Sequence, residues 1–85
     1  MGLDVVEMVV RVEKEFDVKI PDDVSATLIT PRTVIDYLIY QPSISERWSR
    51  DDLTLKLWFL LEDQLGISRY EYTVDSRFVE DMGAD

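Results

Sequence analysis

Between Leu3 and Phe16 the apolar positions recur with a helical period. At 100° per residue, Val5, Met8, Val9, Val12 and Phe16 fall within one narrow arc. Leu3, Val6 and Val10 form a second stripe beside it, and Asp4, Glu7, Arg11, Lys14 and Glu15 take the remaining face. So wide an apolar arc implies contacts on two sides. The valines would suit a strand, but the spacing does not alternate, so a helix is predicted over 3–16. Asp17 begins a break that ends at Ile20-Pro21, and Pro21 with Asp22 and Asp23 favours a short helical turn over 22–28. Thr30-Pro31 is an N-cap followed by proline at the first helical position, opening a helix with Val34, Ile35, Leu38 and Ile39 that runs to about Tyr40. Pro42 and the serines at 43, 45 and 49 mark a linker over 42–48. Ser49 then caps a longer helix, with Asp51 and Asp52 at its positive end, a core stripe of Leu53, Leu57, Leu60, Leu61 and Leu65, and Gly66 as terminator. Leu55, Trp58 and Phe59 lie off that stripe. From Ile67 onward the pattern is irregular, with Tyr70, Tyr72, Val74, Phe78 and Met82 as apolar anchors in a polar loop, an arrangement that is usually functional or tightly packed.

Composition narrows what such a set of helices can do. The chain has 85 residues, enough for one small domain over 1–85, and its apolar fraction of 46% can furnish a core. Neither cysteine nor histidine is present, so disulfides, thiolate chemistry and the nucleophile–histidine arrangements of hydrolases are excluded within it. Nine basic residues against eighteen acidic ones give a net charge of −9. That surface repels phosphate backbones and anionic lipid and is steered toward basic patches on other proteins. No nucleic acid and no membrane partner is expected, since no apolar run approaches the roughly 18 residues that would span a bilayer. No signal peptide is evident, which sets a cytoplasmic location as the expectation. The pairs Asp22-Asp23, Asp51-Asp52 and Glu80-Asp81 lack the spaced oxygen ligands and loop glycine of an EF-hand, and Asp4 with Glu7 on a solvated helix face is not a catalytic cleft. Neither a metal site nor enzymatic activity is expected.

The stretch from Asp75 to Asp85, DSRFVEDMGAD, closely resembles the loop that precedes the modification site of acyl carrier proteins. In that family the next residues, Ser-Leu-Asp, open the second helix. Here the matching residues stand at the other end of the chain, where Gly2-Leu3-Asp4-Val5-Val6-Glu7-Met8-Val9 resembles that second helix with Gly2 at the serine position. The similarity continues through Val12-Glu13-Lys14-Glu15-Phe16, Lys19-Ile20-Pro21-Asp22 and Ile35-Asp36-Tyr37-Leu38, and resumes at Leu57, Leu60-Leu61 and Gln64-Leu65-Gly66, which match the first helix.

The resemblance implies an all-α, acyl-carrier-protein-like four-helix bundle with circularly permuted connectivity. Residues 2–41 would supply the family's second to fourth helices, 42–48 the linker, and 49–85 the first helix and its loop. Natural permutation, engineering, and excision out of frame from tandem carriers are all compatible with this order. In the family, 4′-phosphopantetheine on the serine holds acyl chains as thioesters. Here Gly2 stands at that position between Asp85 and Leu3, without a hydroxyl to take the phosphoryl link, so no cofactor is expected on the chain as written. By resemblance, Leu3, Val6 and Val10 are apolar contacts and Glu7 and Glu13 acidic contacts for basic surfaces of acyl-processing enzymes, while Lys14 stands where the family usually has an acid. Leu55, Trp58 and Phe59, where the family is usually polar, would form an exposed interface unless Ile44 and Trp48 of the linker fold over them. Three functions follow as expectations: an unloaded module that binds carrier-processing enzymes, a boundary-shifted unit of a working acyl carrier in fatty acid or polyketide synthesis, and a homodimerising structural module.

Overall fold

Side chains that satisfy the first free amides fix the start of the two best-defined helices. In the computed structural model, which describes residues 3–84, Thr30 Oγ1 accepts from Thr33 N at 3.2 Å while Thr33 Oγ1 accepts from Thr30 N at 3.1 Å. This is a reciprocal capping box with threonine in the place usually held by Glu or Gln. It starts the helix Pro31–Ile39. Ser49 Oγ accepts from Asp52 N at 3.1 Å and starts the helix Arg50–Leu65, which Gly66 ends at φ 67°, its N–H donating to Glu62 O. The first helix, Leu3–Phe16, stops at Asp17, whose φ of 55° is left-handed, and Val18 N reaches back to Glu13 O at 3.1 Å. Asp is among the few side-chain-bearing residues that tolerate this conformation.

In chain order the elements are α1 (Leu3–Phe16), α2 (Asp22–Ser25), α3 (Pro31–Ile39), α4 (Pro42–Ser45) and α5 (Arg50–Leu65). The described residues contain no strand, so the architecture is all-helical: three helices of two turns or more, two single turns and a long irregular tail. α5 packs against both α1 and α3, and α4 packs on α3. Met8, Leu38, Ile44, Leu53 and Leu61 are wholly removed from solvent, with Phe16 and Phe78 almost so.

The linker takes the folded-back alternative, with Trp48 beside Leu55 and Phe59, and the expected exposure of Trp58 is corrected. Residues 42–48 are not a free connection. Pro42 starts the one-turn α4, Ile44 is fully buried, and the Trp48 ring meets Phe16 edge-on at 5.2 Å. Arg47 locks the segment by donating from Nη2 to Phe16 O at 3.1 Å. The proline and serines outweighed the i, i+4 pair Ile44/Trp48 in the sequence pattern, although that pair is what packs. Trp58, expected at an exposed patch, is buried at 8% exposure, because α5 is flanked by neighbours on more than one side and its interior arc is wider than a single leucine stripe.

Residues 67–84 hold their place without a helix. Arg32 N donates to Val74 O at 2.8 Å, and the Arg32 guanidinium grips Asp75 with two bonds of 2.7 and 3.1 Å. Phe78 N donates to Ile29 O at 3.0 Å, and Phe78, Met82 and Ala84 enter the core. Tyr70, expected as an anchor, is exposed instead.

Because Ile44 is a core residue, Ile44→Ala is expected to lower stability by about 2–5 kcal/mol in urea unfolding. A change within about 0.5 kcal/mol, as at an ordinary surface position, would show that 42–48 is a linker after all.

Candidate docking face and junction cavity

α1 turns Val5, Met8, Val9, Val12 and Phe16 inward, which leaves Val6 and Val10 outside, one turn apart and 43% and 42% exposed. Gln64 of α5 borders the same surface. Glu7 stands beside them in solvent, its Oε2 accepting from Gln64 Nε2 at 3.3 Å. A shallow groove runs along this face past Val6, Glu7, Val10 and Lys14.

An ionic seam along α5 fixes the orientation of that face. Arg11 Nη1 pairs with Asp63 at 2.6 Å and its Nε with Glu15 at 3.3 Å, and Lys56 Nζ reaches the other Glu15 oxygen at 3.0 Å. Asp63, and then Glu15, raise the Arg11 pKa above its ordinary value. Lys56 first, and then Arg11, hold the Glu15 carboxyl below the ordinary 4.5. Exposed pairs of this kind stabilise weakly, but the two that cross from α1 to α5 favour one rotation of the helix.

The structure distributes the sequence-derived site residues unevenly. Val6, Glu7 and Val10 share one accessible face. Glu13 lines a neighbouring groove with Val10 and Lys14, and its Oε2 accepts from Ile20 N at 2.8 Å, so this half-buried carboxylate also fastens the turn after α1. Lys14 is exposed and has no carboxylate within ion-pair distance among the described residues, so the face is acidic toward the start of α1 and mixed in charge toward its end. Leu55 and Phe59 are exposed on α5, without Trp58. Gly2, Asp85 and the side chain of Leu3 lie outside the described residues.

A cavity of about 220 Å³ opens where the first turns of α1 meet the end of α2 and the tail. Val5, Leu28, Ile29, Phe78 and Val79 give it apolar walls, and Arg77 and Glu80, paired at 3.0 Å, stand at its rim. Val5 and Phe78 therefore share one cavity although 73 positions separate them (78 − 5). Ser25, Ala26 and Ile29 also line it and were not singled out from sequence. The adjacent apolar pair Leu28-Ile29, in a polar stretch just before the Thr30 cap, was the available signal. Ser25 itself is buried with its hydroxyl donated to Asp22 O at 2.9 Å. Among the described residues no acidic cluster could hold a metal ion, and no helix is long and apolar enough to cross a membrane.

Glu15 makes the seam sensitive to acid. Its folded pKa lies below the unfolded one, so its stabilisation is present above about pH 4.5 and is lost as pH falls through the folded value. The stability gap between the protein and its Glu15→Gln variant is expected to be open at pH 7 and to close toward pH 3 in urea titrations. A gap independent of pH would remove the seam from the account. No protein-family model matches the chain, and no solved structure matches it significantly.

Proposed function

We propose that the protein is an acyl-carrier-like interaction domain that presents the outer face of α1 to basic surfaces of acyl-processing enzymes and carries no acyl group itself. The observation that carries this reading is the exposed pair Val6 and Val10 with Glu7 beside them, on a helix whose other apolar arc is spent on the core. An apolar pair on a rigid helix, bordered by a carboxylate and set in a protein of net charge −9, offers a basic partner both contact area and steering. The resemblance of 75–85 and 2–9 to the two sides of a carrier modification site names the class of partner. The proximity of Val5 and Phe78 supports reading those two segments as one site, in a permuted carrier bundle. Gly2 at the serine position offers no oxygen for a phosphopantetheine arm.

A second reading, a unit of a carrier that holds acyl thioesters, is favoured by the apolar cavity at the same junction, whose walls suit the first part of an alkyl chain.

Both readings meet in one experiment with a phosphopantetheinyl transferase. Titration calorimetry is expected to detect binding of this chain, weakened roughly tenfold or more by Val6→Lys or Glu7→Lys, as for a central contact worth over about 1.4 kcal/mol. With coenzyme A added, the chain is expected to gain no mass, whereas a version with Gly2→Ser and Asp85 rejoined ahead of it gains one arm. Unchanged affinity in both α1 variants would defeat the docking face, and a mass gain on the present chain would defeat the unloaded reading.

A further inference from the structure

Outside the site just described, the exposed apolar surface of the long helix stands out because of the charges around it. Leu55 and Phe59 lie one turn apart on α5, 48% and 60% exposed, and form a groove with Trp48. The Arg69 guanidinium lies over the Phe59 ring at 5.9 Å and over Tyr70 at 5.2 Å, within cation–π range. Five of the nine basic residues are consumed in ion pairs, leaving Lys14, Lys19, Arg47 and Arg69 without a carboxylate at ion-pair distance among the described residues, although Glu62 lies near enough to act on Arg69. Two of these four, Arg47 and Arg69, border this one groove, Arg47 with its guanidinium spent on the backbone oxygens of Ser43 and Phe16. Lys56 also lines the groove but is paired with Glu15, and Asp52 is the acid at its far end.

We infer that this groove receives the α1 face of a second copy of the chain, in a head-to-tail contact. The spacings match: Val6 and Val10, like Leu55 and Phe59, are four residues apart, or about 6 Å along a helix. Setting Val6 on Phe59 and Val10 on Leu55 runs the two helices antiparallel. That polarity brings Glu7 toward Arg69 and Lys14 toward Asp52, so both ends are complementary. The parallel setting would bring Lys14 to Arg69 and Glu7 to Asp52. Pairing the α5 groove with itself antiparallel about a twofold axis would also bring Arg69 toward Asp52, but it would leave the Val6 and Val10 pair of both copies in water. Charge therefore selects the antiparallel setting over the parallel one, and burial of both exposed apolar pairs selects the heterologous contact. Each copy keeps one α1 face and one α5 groove free, so the contact propagates instead of closing as a twofold dimer. The net charge of −9 opposes encounter at long range, but at physiological salt the screening length of about 8 Å leaves contacts at the interface largely unscreened. Patches this small belong to the weak class, with dissociation constants of about 0.1–1 mM. The contact rests on these two surfaces alone and holds whether or not the docking function does, although it would compete with any partner for Val6 and Val10.

Sedimentation of the whole chain up to about 1 mM tests this by complementation. The unaltered protein is expected to exceed twice its monomer mass as concentration rises. Val6→Lys spoils only the α1 face and Phe59→Lys only the α5 groove, so each variant alone is expected to stay monomeric with an unchanged circular dichroism spectrum. An equimolar mixture retains one good face and one good groove, and is expected to give a 1:1 dimer that grows no further. A monomer at every concentration, association that survives Val6→Lys, or a mixture that stays monomeric would each overturn the inference. Loss in Phe59→Lys with retention in Val6→Lys would assign the contact to paired α5 grooves instead.

Discussion

The structure depends on docking its irregular tail. Residues 67–84 form no helix, yet Phe78, Met82 and Ala84 are core residues, and without them the end of α2 and the first turns of α1 would lose an apolar wall. A segment with no internal hydrogen-bond ladder must find partners for its amides elsewhere. It does so at Ile29 and Arg32, where the chain enters α3, and inside itself, where Ala84 N donates to Phe78 O at 2.8 Å. The two-bond clasp of Arg32 on Asp75 adds a fixed point one turn of chain before Phe78, and it holds the Asp75 carboxyl below its ordinary value. The docked tail, the first turns of α1 and the end of α2 together wall the cavity at the junction.

Electrostatics then decides which surfaces are left for partners. In a chain with twice as many acids as bases, most cations are drawn into pairs that organise the fold: Arg11 and Lys56 along the seam between α1 and α5, Arg50 to Asp36 between α5 and α3, Arg32 and Arg77 at the tail. None of these exposed pairs contributes much to stability alone. The two that join α1 to α5, Arg11 to Asp63 and Lys56 to Glu15, are in register with the inward packing of α1. Val6 and Val10 remain exposed because α5 and the core take up the other arc. The two arginines spent on aromatic rings and backbone oxygens rather than carboxylates then give the α5 groove a character opposite to the rest of the surface.

Helix starts and stops were legible in the sequence because each rests on local chemistry: Thr30-Pro31, Ser49 before Asp51 and Asp52, and Gly66 in a left-handed conformation. The inward arc of α1 was equally legible, since five apolar residues at helical spacing have one way to be buried. What sequence missed depended on neighbours. Trp58 lies off the leucine stripe and is buried only because α5 has partners on more than one side, and whether Ile44 and Trp48 fold inward could be decided only once a core was there to receive them. Glu13 sits at an outward-looking position of α1, but the turn after the helix folds back and offers it the Ile20 amide. The cavity left only a faint trace, the apolar pair Leu28-Ile29, because it lies between three segments far apart in the chain.

The central claim is that the tail and the start of α1 are neighbours within one molecule, and it can be measured as an energy of coupling. A double-mutant cycle with Val5→Ala and Phe78→Leu, followed by urea unfolding, asks whether each residue feels the loss of the other. Because both side chains wall the same cavity, the account predicts a coupling of about 0.5–3 kcal/mol, independent of protein concentration. Additivity within about 0.3 kcal/mol, the behaviour of distant and unconnected sites, would contradict it.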